Sequence, residues 1–138
     1  MVMTNEMKAY LESCQEELKQ LIRDLCAIPA PSHHEEKRAE FCKAWFENNG
    51  GAGTYIDEAL NVVWPLGDTG TNPLAVYMAH SDVVFPDTDP LPLTVEADRI
   101  CCPGIGDDSA NVVALLVPLL LERPILMLSE FFRKKEHK

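Results

Sequence analysis

The sequence has no long hydrophobic run. Its longest, Val112 to Leu121, is ten residues and contains Pro118, about half of what a membrane-spanning helix needs. The opening MVMTNEMKAY lacks the apolar core of a secretory signal. Positive charge is scarce: 12 Lys and Arg stand against 22 Asp and Glu, a net charge of −10. Such a chain repels phosphate backbones and anionic lipid surfaces, so neither nucleic acid nor membrane is an expected partner. The five cysteines are an odd number and form no CxxC pair. This usage suits a reducing, cytoplasmic setting, with Cys14, Cys26, Cys42, Cys101 and Cys102 read as core residues. Neither phosphate-loop pattern, GxGxxG or GxxxxGK(S/T), occurs, nor does the GxSxG nucleophile elbow. No internal repeat or low-complexity stretch is present. What remains is an ordinary globular composition, 46% hydrophobic and 25% charged. A chain of 138 residues suffices for one compact domain that buries roughly two thirds of its unfolded surface.

Two helical patterns come first. Met7, Tyr10, Leu11, Cys14, Leu18, Leu21, Ile22 and Leu25 recur every three or four residues and stop before Pro29, which predicts one amphipathic helix. Ser32-His33-His34-Glu35 reads as a capping box opening a second helix. That helix has Ala39, Cys42, Trp45 and Phe46 on its inner face and ends at Asn49-Gly50-Gly51. The pattern then turns to strands. Tyr55-Ile56 and Asn61 to Leu66 are short candidates, and Gly67-Asp68-Thr69-Gly70 is a turn signal. Leu74 to Ala79 is continuously apolar, the mark of a strand buried on both faces. Leu93–Glu96 and Arg99–Cys102 are expected to pair, and a final helix to run from Asn111 to about Leu121. This order predicts an α/β fold: a layered α/β/α domain with a mixed, partly parallel sheet.

Two segments carry chemistry. His80-Ser81-Asp82 stands at the carboxyl end of the predicted buried strand, where sites collect in open α/β sheets. A histidine there can offer one ring nitrogen to a metal while a carboxylate two residues on holds the other ring N–H. The second segment is Pro103-Gly104-Ile105-Gly106-Asp107-Asp108-Ser109, two glycines and two carboxylates at a helix start. Its plain reading is an N-cap. A cluster of Asp82, Asp107 and Asp108 could instead bind magnesium, although His80 beside them favours zinc or another transition metal.

Taken in order, MAHSDVV followed by ICCPGIGDDSANVVALL resembles the M20 family of zinc metallopeptidases and amidohydrolases. That family includes tripeptide aminopeptidases, glutamate carboxypeptidases and related deacylases. Upstream, LCAIPAPSHHEEKRAEFCKAWFENNG is similar to the family's opening turn and first helices, so the likeness covers about Leu18 to Leu121. The resemblance implies that His80 and Asp107 are metal ligands, Asp107 bridging two zinc ions. Asp82 would be the aspartate that orients His80, and Asp107–Asp108 would match a position that is typically a cis peptide. It implies metal-assisted hydrolysis of a peptide or N-acyl amino acid, with a glutamate as general base.

The family draws that glutamate from a Glu-Glu pair after the next strand, and further ligands from later in a longer chain. Here Glu16-Glu17 and Glu35-Glu36 both precede the metal segment and lie on predicted helices; the surroundings of Glu130 and Glu136 do not match. His33, His34 and His137 are not assigned to catalysis. Residues 1–123 carry −12 and residues 124–138 carry +2. The chain therefore reads as the amino-terminal part of such a catalytic domain (1–123) with a divergent basic tail (124–138). Two matched ligands are too few for a closed tetrahedral zinc site. Zinc occupancy is expected to be weak or absent, activity weak or lost, and the apolar surface of an incomplete sheet to promote homo-oligomers. A non-catalytic, self-associating module is the alternative.

Overall fold

The computed structural model describes residues 4–66, 70 and 75–120. The turn residues Gly67, Asp68 and Thr69, the start of the apolar run at Leu74, the helix end at Leu121 and the basic tail 124–138 lie outside the described residues.

The first amphipathic pattern forms two helices, α1 (Asn5–Ser13) and α2 (Gln15–Cys26). Cys14 joins them in a near-helical conformation, with φ −90° and ψ −4°. The hydrogen-bond ladder continues across it, from Cys14 N–H to Tyr10 O at 3.1 Å and from Leu18 N–H to Cys14 O at 3.0 Å. The apolar stripe of α2 buries Leu21, Leu25 and Cys26. The helix ends ahead of Pro29, whose ring cannot continue it.

Helix α3 is Glu36–Asn48, three residues later than the capping box suggests. Neither arm of that box forms among the described residues: the Glu35 carboxylate accepts the His33 N–H at 2.7 Å rather than that of Ser32. The Ser32 hydroxyl donates to Asp82 at 2.5 Å. This charge-assisted bond draws Ser32 into a tertiary contact, and the chain makes a turn before the helix. His33 and His34, both exposed, lie in that turn.

The strands are short. β1 (Tyr55–Ile56) pairs antiparallel with β2 (Val62–Val63), matching Tyr55 with Val63. β3 (Thr94–Val95) pairs antiparallel with β4 (Ile100–Cys101), matching Thr94 with Cys101, the hairpin expected across Ala97-Asp98. Among the described residues the two sheets have two strands each. The parallel element among the described residues is a single bridge, Pro31 with Val83, beside a hydrogen bond from Val83 N–H to Ala30 O at 2.8 Å. The chain is thus α/β in the broad sense, with helices and small antiparallel sheets.

The expected doubly buried strand is corrected. Ala75 to Ala79 forms no strand, and Val76, Tyr77 and Met78 are 65%, 83% and 82% exposed. An apolar run becomes a buried strand only when neighbours pair with its edges and cover its faces; among the described residues no strand pairs with this one. Only Ala79, at its end, packs on the core.

That core lies between three helices. α4 (Ala110–Leu120) contributes Val112, Val113 and Leu116, which meet Leu21 and Leu25 of α2 and Cys42 and Phe46 of α3. Trp45 and Trp64 flank Phe46 with ring centroids 6.2 Å and 5.7 Å away. Cys101 and Cys102 part company: Cys101 is exposed and Cys102 buried. Successive residues of extended chain point to opposite faces, so both could not enter one core.

Candidate functional site

Three stretches of backbone build the site. The turn before α3 supplies Ser32, the segment after Ala79 supplies His80 and Asp82, and the loop before α4 supplies Asp107 and Asp108. The Ala30–Val83 hydrogen bond fixes the first stretch against the second. Gly104 fixes the second against the third. Its φ is +79°, and a Cβ there would lie 2.5 Å from Val83 Cγ1, so only glycine lets the loop pass so close.

From Gly104 the chain enters a five-residue π-type turn, Ile105–Ser109, in which Asp107 (φ −144°, ψ 79°) and Asp108 (φ −136°, ψ 18°) depart from helical angles. The Asp107–Asp108 peptide bond is cis, as the family resemblance implies for this position. The hydrogen bonds of the two carboxylates go to His80 and to the Asn111 side chain rather than to the first N–H groups of α4.

His80 is held at three points. Its Nδ1 lies 2.9 Å from Asp82 Oδ1 and its Nε2 lies 3.0 Å from Asp107 Oδ1. Its backbone N–H donates to Asp108 Oδ2 at 3.3 Å. Asp82 is anchored in turn by the Ser32 hydroxyl, and Asp108 by the Asn111 side-chain amide. The structure therefore brings together all three residues singled out in the sequence.

The electrostatics follow from these contacts. The hydrogen bond to Asp107 raises the His80 pKa above its ordinary value, helped by Asp82 and opposed by desolvation. The Ser32 hydroxyl, and then His80, hold the Asp82 carboxyl below its usual range. The imidazole is about half exposed and the Asp107 side chain 87% exposed, so water screens the pair. Nε2 and Asp107 Oδ1 face open solvent, and a cation could approach both.

Fit to a metal can be judged from the donors. With metal–nitrogen and metal–oxygen bonds of about 2.0–2.2 Å, two ligands of one tetrahedral ion lie roughly 3.3–3.5 Å apart. The 3.0 Å between Nε2 and Oδ1 needs only a small opening to accept an ion in place of a proton. The remaining vertices are another matter. Asp82, Asp107 and Asp108 engage His80 at three different atoms, and among the described residues no group of three or more His, Cys, Asp or Glu side chains is placed to hold one metal ion. The residues fit one edge of a metal site.

The chain matches no model of a known protein family, and no curated protein matches it.

Three residues of the site were not anticipated from sequence. Ser32 was hidden by its capping-box reading, and Asn111 by its place among the first residues of a helix. Arg38 has a legible signal: with Ala39, Cys42 and Phe46 it lies on the buried face of α3, where a charged residue stands out. It is 2% exposed and touches the backbone of the His80–Asp82 segment.

Proposed function

We propose that this chain carries the first half of a metal-dependent amide hydrolase centre of the M20 type, acting on peptides or N-acyl amino acids. His80 and Asp107 are its metal ligands, and Asp82 orients His80. The observation that carries this reading is the division of the two His80 ring nitrogens between Asp82 and Asp107, at 2.9 Å and 3.0 Å. A carboxylate on Nδ1 keeps a proton there, so a cation can replace the proton between Nε2 and Asp107. Ser32 keeps Asp82 ionised and aimed, and Asp108 holds the His80 backbone. Bound zinc would polarise the scissile carbonyl and bring the pKa of its water toward about 7.

The base and the remaining ligands have no counterpart in this sequence, so metal affinity is low and turnover weak or nil. In the completed centre, Ala75 to Ala79 would be a central strand of a layered α/β/α domain with a mixed, partly parallel sheet. A reducing, cytoplasmic compartment suits the five free cysteines. Zinc titration by calorimetry is expected to show one weak site per chain, lost in His80→Ala. Two tight sites per chain, or EDTA-sensitive peptide hydrolysis at enzymatic rates, would overturn the half-centre; unchanged binding in His80→Ala would remove the site.

A second reading, a non-catalytic self-associating module, is favoured by the exposure of Val76, Tyr77 and Met78. A light-scattering mass of one chain at micromolar concentration would exclude it.

A further inference from the structure

Arg38 ties three separate stretches of chain to α3. Its Nη2 donates to Ile28 O at 2.8 Å, just beyond α2. Its Nη1 donates to Ser81 O at 2.7 Å, the carbonyl between His80 and Asp82. The same nitrogen reaches Ser109 Oγ at 3.3 Å, directly after the Asp107–Asp108 bond. Ser109 is 1% exposed and Arg38 2% exposed; their contact is buried, and the two carbonyl contacts beneath the site are partly buried.

The guanidinium is an expensive occupant of that position. Its hydrogen-bond partners are two neutral carbonyls and a hydroxyl, its Nε is buried with no partner, and the Asp82 carboxylate lies close enough to favour its charge. Burial pulls its pKa below the ordinary guanidinium value. An apolar side chain of similar size would avoid the desolvation penalty. It could not hold two acceptors on different segments, as a rigid planar fork does.

We infer that Arg38 is a positioning residue, which holds the Ser81 carbonyl and the Ser109 hydroxyl so that His80 and Asp107 meet above it. The inference rests on the reading of His80, Asp82 and Asp107 as a site. It adds a support that lies outside the segments carrying the sequence motif. Removing Arg38 lets the two segments drift apart without touching any residue of the His80 constellation.

The test compares the full chain with Arg38→Met, which keeps length and removes every donor. Two readouts are taken: the 15N chemical shifts of the His80 ring at one fixed alkaline pH, and cobalt(II) binding followed by visible absorption. Circular dichroism establishes that the variant is folded. In the parent chain the ring shifts should report a single tautomer with Nδ1 protonated. In Arg38→Met they should move toward tautomer averaging, and cobalt affinity should fall about 10- to 100-fold, as for other outer supports of metal ligands. A folded Arg38→Met with an unchanged ring spectrum overturns the inference. Should Arg38→Met not fold, Ser109→Ala, which removes one acceptor, decides it: a shifted ring spectrum supports the clamp, an unchanged one overturns it. A parent chain that binds no cobalt defeats the metal-site reading alone, because the ring spectra still decide the role of Arg38.

Discussion

Two apolar runs of this chain end in opposite environments. In α4, Val112, Val113 and Leu116 are 8%, 3% and 1% exposed, whereas Val76, Tyr77 and Met78 are 65%, 83% and 82% exposed. Hydrophobicity alone does not separate them. The α4 run belongs to a helix, which satisfies its backbone internally and needs only a stripe of neighbours, supplied by α2 and α3. The Ala75–Ala79 run would have to be a strand, which needs partners on its edges before its faces can be covered. The difference lies in where backbone hydrogen bonds are found, and it leaves His80 at the end of an open segment, anchored from below.

The largest expected break of this contrast is Leu116→Ala. Truncating a fully buried leucine costs about 2–5 kcal/mol, which a shift in the denaturant midpoint would record. A loss below about 0.5 kcal/mol, the size of an ordinary surface change, would mean that α4 is not the organising helix.

Alkaline pH should weaken the same core from within. Burial pushes the Cys42 thiol, under Phe46 and α4, from 9.0 up to about 11. The Cys26 thiol also rises to about 11, mainly through burial and then through Cys102. The unfolded chain gives up these protons first. The stability they lend is therefore whole below pH 9 and is lost as pH climbs through 11. Denaturant midpoints that stay level across this window would contradict the burial of both thiols. Alkylation offers a sharper reading: exposed Cys101 should be modified first in the native protein, and Cys42 only as it unfolds.

The smallest effect should come from the open run. Tyr77→Ser and Met78→Ser should each change the unfolding free energy by less than about 0.5 kcal/mol, because neither side chain is buried in the chain itself. If either matches Leu116→Ala, the segment is packed in solution, and the contrast disappears.

Much of the site could be read in advance because its logic is local. A histidine and a carboxylate two residues apart in extended chain can meet without help from the rest of the fold, and Asp82 does hold Nδ1. The partner on Nε2, Asp107, comes from 27 residues away; the resemblance anticipated it, whereas spacing alone left it as a cap. Ser32 and Arg38 escaped notice because their roles depend on which distant segment arrives beside them. Ser32 fits a local capping rule but is found donating to Asp82, 50 residues away. Arg38 falls on the inner face that Ala39, Cys42 and Phe46 mark, but the carbonyls it meets there come from distant segments.

The amino-acid sequence determined by itself the helical stretches, though neither the break at Cys14 nor the start of α3, together with the hairpin across Ala97-Asp98 and the carboxylate on His80 Nδ1. Each depends on contacts within a few residues, where propensity and reach decide. Only the tertiary structure decided that Val76 to Met78 face solvent, that Cys101 and Cys102 separate, and that a buried guanidinium on α3 joins the two halves of the site. Those outcomes depend on which segments meet, and a hydrogen bond or an apolar face is satisfied only by a neighbour that is present.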